Sequence, residues 1–537
     1  MIVTEKRVIF SFLTVVALCC GLIFKIGSLS VSQYSEAGAT QSARRVQVAQ
    51  SRGMIYDRNM IPLVNREISA VLIVNPTENA MTTLYRCLTQ TEYAEAVEKS
   101  KKGSPFLLYT RNYSGDCDDI TEMTVYSRYS DSDVLSHIIG YLDSEGNGAS
   151  GLEKSFDSLM DKNSGTLSVR YRADATGKML RGEGFEVASD NYASSAGLVL
   201  TVDYEIQSVC ENIMEYNNIE SGAVVVLDAA TGEILALASS PEFDREDMSA
   251  SLADENSPFL NRALSSYAVG SVFKPVVAAA ALEQGISEDL IFTCDGYVTV
   301  NGIRFNCHKK DGHGTVSMTE AMAVSCNSYF IQLGQLVGAE NILHTASQLG
   351  FGSKITLADS IVSVAGILPD IADIDSSASL ANLSFGQGTL LATPLQIGAV
   401  YCAFVNGGYY REPYILKEIT DENGEIQAYY ESETNNKVLT DSVCKKIRSM
   451  LEETVASGSG KLAAPMENEA AGKTATAETG WTENGREIVH TWFAGYYPAD
   501  EPQYVIVVFK EDGVSSSTEC APIFRDIVDN ISHKTEK

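Results

Sequence analysis

The sequence predicts an α+β chain: one antiparallel sheet with helices on its faces, preceded by a smaller domain and a single apolar helix. Three observations predict it. An uncharged apolar run opens the chain at 8–24. Strand-like apolar runs pair around 222–239 and recur as a cluster of three near the C-terminus. Helix-patterned segments lie between and after those strands, which is the texture of a sheet covered by helices.

The apolar run is at the short end of what spans a bilayer. Lys6 and Arg7 precede it and Lys25 follows, and the next basic residues are Arg44 and Arg45. The positive-inside rule then places the N-terminus in the cytoplasm and the remainder outside. A cleaved signal peptide competes, because Ala37-Gly38-Ala39 resembles a cleavage site. That triplet lies far beyond the apolar core, which favours an uncleaved anchor. The expected layout is a cytoplasmic tail over 1–7, a transmembrane anchor over 8–28, an N-terminal domain over 29–190 and a larger domain over 191–537.

Residues 30–51 are rich in Ser, Gln and Ala and read as a stalk or the start of an extended segment, and 68–74 reads as a strand. The stretch 148–161 is patterned as helix from Leu152, and the polar break at 189–196 is the expected boundary. Beyond it, 222–227 (GAVVVL), the turn 228–232 (DAATG) and 233–239 form a hairpin. Residues 271–284 form a helix that must begin around Ser271, since Pro275 fits only in a first turn, and Gly285 ends it. Strands follow at 473–478, 490–497 and 504–509, then a closing helix over 522–531.

Length and composition bound the function. At 537 residues the chain is too long for one core. A net charge of −30 argues against a nucleic-acid partner, which needs a basic face, and otherwise describes an ordinary soluble surface. The 11 cysteines include no CxxC pair, and no Cys/His set shows zinc-ligand spacing, so neither metal nor cofactor is expected. Cys294 and Cys307 bracket a hairpin-like stretch, where a disulfide and two free thiols both fit. His313, between two glycines, reads as a turn residue, Trp492-Phe493 as core, and Arg52 and Asp57 as a structural ion pair or a domain junction.

The chemistry is carried by an ordered set of short motifs. Ser271-Val272-Phe273-Lys274 places a hydroxyl and an amine on one side of a helix start. Serine is a weak nucleophile until a base takes its proton, and a buried lysine can be that base. The helix N-terminus favours the negative charge that develops. The motif alone is weak, because Ser442-Val443-Cys444-Lys445 repeats it on an amphipathic pattern. Order distinguishes the two. Ser325-Cys326-Asn327 follows the first, and Lys473-Thr474-Ala475 lies later in a strand. The decoys Ser189-Asp190-Asn191 and Lys534-Thr535 have neither the order nor a rigid element.

SxxK, SxN and KTG in this order resemble the signature of penicillin-binding proteins and serine β-lactamases. The chain is similar to class B penicillin-binding proteins from its anchor to its last helix. The stretch 52–59 (RGMIYDRN) resembles the motif opening the family's non-catalytic pedestal domain, and 151–157 (GLEKSFD) a later segment of it. Asn261-Arg262-Ala263, Gly386-Gln387-Gly388, Thr393-Pro394-Leu395-Gln396 and Trp492-Phe493-Ala494-Gly495 also match.

The resemblance implies a β-lactamase-like transpeptidase fold in a bacterial plasma-membrane protein that crosslinks peptidoglycan stem peptides ending in D-Ala-D-Ala and is inhibited by β-lactams. It makes Ser271 the nucleophile, Lys274 its base, Ser325 the proton relay and Asn327 a substrate contact. Lys473 and Thr474 bind the terminal carboxylate, and the amides of Ser271 and Thr476 form the oxyanion hole. It also implies a separate membrane glycosyltransferase and divisome or elongasome partners. The region before residue 189 is short and carries no ExxFxxH-type glycosyltransferase motif, and Phe305-Asn306-Cys307-His308 lacks the acid.

Two residues depart from the pattern. Ala475 stands where the family has Gly, and its Cβ is expected to crowd the strand where substrate docks. Val269 replaces a common Pro. A β-lactamase is the rival enzyme, disfavoured by the long N-terminal region and the absence of a declared deacylating base. A non-catalytic sensor or divisome scaffold is the rival outside enzymes, supported by Ala475 alone.

Overall fold

The computed structural model describes residues 2–30, 42–110, 113–130, 134–180, 182, 184–245, 248–483 and 485–532. The Ala37-Gly38-Ala39 triplet, residues 31–41 of the expected stalk and the Lys534-Thr535 decoy lie outside them. Helix α1 (Ile2–Ser30) contains a 23-residue stretch, Lys6–Ser28, apolar enough to cross a membrane. At about 1.5 Å per residue it reaches about 35 Å, more than the roughly 30 Å of a bilayer's hydrocarbon. Its Phe10, Leu18, Ile23 and Phe24 side chains are exposed.

The chain forms two compact units: 1–52, 65–130 and 163–194 in one, and 53–64, 131–162 and 195–537 in the other. The last crossing between the units lies between 194 and 195, and two short excursions before it, 53–64 and 131–162, belong to the larger unit. The first is held there by a parallel pairing of Met54–Tyr56 with Gly197–Leu200. Asp57, fully buried, adds backbone bonds from Asn59 (2.8 Å), Ile61 (2.7 Å) and Tyr204 (3.1 Å). The second is held by the Leu135 amide on Glu211 (2.8 Å) and by Arg245 on the Gly140 carbonyl (3.1 Å). A carboxylate serving three amides is structural. Asp57→Ala leaves those donors without acceptors and is expected to cost about 3 kcal/mol, read as a fall in the urea midpoint.

In the smaller unit the strand Glu67–Val74 is central to a three-stranded sheet. Its alternation sends Val71 and Ile73 to one core with Val48 and Val169, and Leu72 and Val74 to another with Leu84 and Ala96. The helix expected from Leu152, in the larger unit, is two short pieces, Gly151–Ser155 and Asp157–Lys162, broken where Phe156 leaves helical geometry at φ −116°.

The larger unit is built on one five-stranded antiparallel sheet. Its strands are β1 (Gly222–Asp228), β2 (Ile234–Ser240), β3 (Ala471–Glu483), β4 (Arg486–Tyr497) and β5 (Tyr504–Gly513), in the order β2-β1-β5-β4-β3. The expected hairpin and three late strands are therefore one sheet. Both faces are buried, which is why β1 and β5 read as unbroken apolar runs rather than alternating ones. Val224, Val226, Ile506, Val508 and Phe493 meet the helix Tyr204–Tyr216 and the closing helix Cys520–Ser532. The helix Pro394–Val405 covers the other face; a Cβ on its Gly398 would come within 2.9 Å of the Leu227 side chain. Trp492 and Phe493 are fully buried, as core residues.

Candidate active site

Ser271 lies in a 3-10 turn, Gly270–Phe273, that leads into helix α2 (Lys274–Glu283). The expected helix is thus tighter in its first turn and becomes α-helical only at Lys274, beside Pro275. In 3-10 geometry residues three apart eclipse, which brings Ser271 and Lys274 to one side. The turn needs Gly270, whose φ is +57° and where a Cβ would meet the Ala477 Cβ at 3.0 Å. Gly386 closes on it from behind: the Gly270 amide donates to the Gly386 carbonyl at 2.9 Å, and a Cβ on Gly386 would overlap the Gly270 oxygen. That close approach requires a glycine at 386.

The SxN triplet meets Lys274 directly. The Lys274 amine, fully buried, donates to the Ser325 carbonyl (2.7 Å), the Ser325 hydroxyl (3.2 Å) and Asn327 Oδ1 (2.7 Å). Burial pushes its pKa down to about 7, against an opposing pull from the Cys326 and Cys307 sulfurs. Ser325 holds φ +56°, a left-handed conformation that costs a non-glycine residue about 1–3 kcal/mol and so must be fixed by its surroundings. Asn327 begins helix α3 (Asn327–Val337).

Strand β3, at the sheet edge, carries the third motif. Its pairing sets Lys473 opposite Ala494, Ala475 opposite Trp492 and Thr476 opposite Thr491. Lys473 is fully buried and donates to the Thr474 carbonyl (2.9 Å) and hydroxyl (3.4 Å). Burial, and then the charge of Lys274, hold its pKa well below the usual lysine value. Thr474 shares a hydrogen bond with Ser459 (2.7 Å), and Thr476 one with Ser516 (3.3 Å). An edge strand leaves alternate backbone groups facing away from the sheet, open to an extended peptide.

Ala475 does not crowd that edge. It is 2% exposed, and its Cβ lies 3.5 Å from where a Cβ on Gly270 would stand. The methyl group forms the floor beneath the Ser271 turn, and the expected obstruction is absent because the side chain points across the sheet rather than along its edge. Ala475→Gly is expected to cost about 1 kcal/mol of stability from the lost methyl packing and to leave penicillin labelling within a few-fold of wild type.

The decoys are placed elsewhere. Ser442 and Lys445 lie on the amphipathic helix Asp441–Ala456. Ser189 and Asp190 belong to a strand of the smaller unit, Glu186–Asp190.

The sequence model of the penicillin binding protein transpeptidase domain matches residues 222–529. The stage V sporulation protein D of Bacillus subtilis is 30% identical, over 90% of this chain and 78% of its own length. The chain belongs to the class B penicillin-binding proteins. A second relative, the peptidoglycan D,D-transpeptidase MrdA of Acinetobacter baumannii, is 28% identical over 95% of this chain and 86% of its own. Among solved structures, penicillin-binding protein 3 of Mycobacterium tuberculosis with aztreonam superposes with a TM-score of 0.65 at 23% identity, covering 92% of this chain and 97% of the other.

The motifs that identify this penicillin-binding protein did not reveal everything at its site. Ser459 and Ser516 carry no sequence signal; only the fold brings them to β3. One further grouping includes the middle residue of the SxN motif. Cys294, Cys307, His313 and Cys326 place one sulfur or nitrogen each within 4.8 Å of one another. Zinc-type spacing was not legible because no two of the cysteines are close in sequence. The hairpin Tyr297–Val300 with Ile303–Asn306, and the pairing of Phe292–Cys294 with Gly314–Val316, fold them together. The signal available was a cluster of three cysteines and a histidine inside one short stretch that includes the SxN motif. The cysteines are all free thiols, so Cys294 and Cys307 are not bridged.

Proposed function

We propose that this chain is a serine-type peptidoglycan D,D-transpeptidase. The observation that carries the reading is the buried Lys274 amine, bonded to both Ser325 and Asn327 beside the Ser271 turn, with its pKa lowered by burial to about 7. The names of the relatives, one a peptidoglycan D,D-transpeptidase, support it.

In this reading the Ser271 oxygen attacks the carbonyl carbon of the penultimate D-Ala while Lys274 takes its proton. The developing oxyanion is met by the amides of Ser271 and Thr476. The peptide bond breaks, Ser325 relays a proton to the leaving amine, and D-Ala departs. An amine of a neighbouring stem then attacks the ester, forms the crosslink and frees Ser271. Asn327 holds the donor backbone, and Lys473 with Thr474 receives the terminal carboxylate, whose charge favours the protonated lysine again. A β-lactam acylates the same serine.

The helix Lys6–Ser28 is assigned as an anchor in a bacterial plasma membrane, with the N-terminus cytoplasmic, the smaller unit non-catalytic and the larger unit catalytic. A membrane glycosyltransferase and division or elongation proteins are the partners this assignment calls for. The test is the release of D-Ala from a pentapeptide-bearing donor, with crosslinked product when an acceptor amine is present. Rapid hydrolysis of a chromogenic β-lactam without crosslinking would make the chain a β-lactamase, and neither reaction would make it a scaffold.

A further inference from the structure

Three of the four clustered side chains come from the two hairpins that precede the SxN turn, and the fourth is the middle residue of that turn. Cys294 ends the strand Phe292–Cys294, Cys307 follows the strand Ile303–Asn306, and His313 precedes the strand Gly314–Val316. All three cysteines are buried. The Cys294 sulfur lies 3.6 Å from His313 Nδ1, the Cys307 sulfur also 3.6 Å from it, and the Cys307 and Cys326 sulfurs are 4.0 Å apart.

These separations discriminate between explanations. A disulfide needs about 2.05 Å between sulfurs. Around a tetrahedral zinc with Zn–S about 2.3 Å and Zn–N about 2.0 Å, sulfurs stand about 3.8 Å apart and sulfur and nitrogen about 3.5 Å. These three separations fit the second pattern, and all four atoms lie within 4.8 Å of one another. The Cys326 sulfur caps α3, accepting from the Tyr329 amide at 3.4 Å. Such a donor also suits a metal thiolate. Three soft sulfurs and one imidazole gathered within 4.8 Å are a donor set that suits zinc, and four protein ligands would leave no open position, as in a structural site.

We propose that Cys294, Cys307, His313 and Cys326 bind one Zn²⁺, and that the metal, through Cys326, holds Ser325 and Asn327 where Lys274 meets them. The second half rests on the transpeptidase reading; the first does not. The SxN turn needs such an anchor. Ser325 sits in a left-handed conformation, and the residue after it is the ligand. A metal bond at Cys326 ties that turn to two hairpins, so a residue one position away on either side keeps its geometry toward the lysine amine. Ser325 and Asn327 are then the groups that act, and the four ligands are positioning residues.

The test uses the full chain, purified in detergent under reducing conditions without a metal-affinity tag. Elemental analysis is expected to find about one zinc per chain, and replacement by Co²⁺ to give a thiolate-to-cobalt charge-transfer band. Cys294→Ser with Cys307→Ser is expected to lose the metal, while His313→Cys, which keeps four soft ligands, retains it. Stripping zinc with a chelator is expected to slow acylation by a fluorescent penicillin about 10–100-fold, with recovery on adding Zn²⁺ back to the same sample. Circular dichroism before and after stripping separates this from unfolding. No zinc in the chain and no cobalt band would overturn the site. A bound zinc whose removal leaves acylation unchanged in folded protein would overturn its positioning role. If no penicillin ever acylates the chain, the transpeptidase reading fails while the metal content still decides the site.

Discussion

Replacing Ser271 by Ala is expected to lower acylation and D-Ala release roughly a million-fold, the scale seen when a serine enzyme loses its nucleophile. No other hydroxyl can substitute. Ser325 has its oxygen within 3.2 Å of the Lys274 amine, but it lies on the left-handed turn before α3 and not at the helix entry where amides can stabilise an oxyanion. The substitution removes a single oxygen from a half-buried turn, so the fold survives and the loss is chemical. Retention of wild-type urea stability alongside lost labelling by a fluorescent penicillin is the expected pair of results.

The second large effect is at Lys274. Acylation by the wild-type chain is expected to rise with pH through about 7 and level off above it. The sign follows from the chemistry. Only the neutral amine can take the serine proton, and burial lowers the lysine pKa to about 7, so the neutral form predominates above that value. The Cys326 and Cys307 sulfurs favour the charged amine and oppose the effect of burial without overcoming it. Lys274→Met is expected to slow acylation roughly a thousand-fold and to erase the inflection near pH 7. An inflection that persists in Lys274→Met would assign it to another group. The variant also strands the Ser325 carbonyl and Asn327 Oδ1, so a stability loss of about 2 kcal/mol accompanies it, to be measured separately by urea unfolding.

The sheet was legible because its strands are buried on both faces: GAVVVL at β1 and VIVVF at β5 can be little else in a chain of this polarity. The start of α2 was legible because Pro275 forbids a helix interior, although the 3-10 character of the Gly270 turn was not; that comes from its packing against Ala475 and Ala477. The interleaving of the two units could not be read, because a three-residue strand, Met54–Tyr56, pairs with Gly197–Leu200 far along the chain and carries no local pattern that names its partner. Ala475 was misjudged for a similar reason: a residue's type is visible in sequence, but whether its Cβ faces the floor or the open edge depends on register. At the candidate site, motif order singles out Ser271, Lys274, Ser325, Asn327, Lys473 and Thr474, and the fold brings Lys274 to Ser325 and Asn327. The proposed metal-ligand set carries no such pattern, because hairpins rather than a helix or a tight CxxC turn bring it together.

The most direct measurement is peptide mapping of the full chain after reaction with benzylpenicillin. The expected product carries one penicilloyl group on the peptide containing Ser271, and Ser271→Ala carries none. An adduct on Ser325, on Ser442 or on a lysine, or equal labelling of Ser271→Ala, would contradict the assignment of Ser271 as the acylated residue.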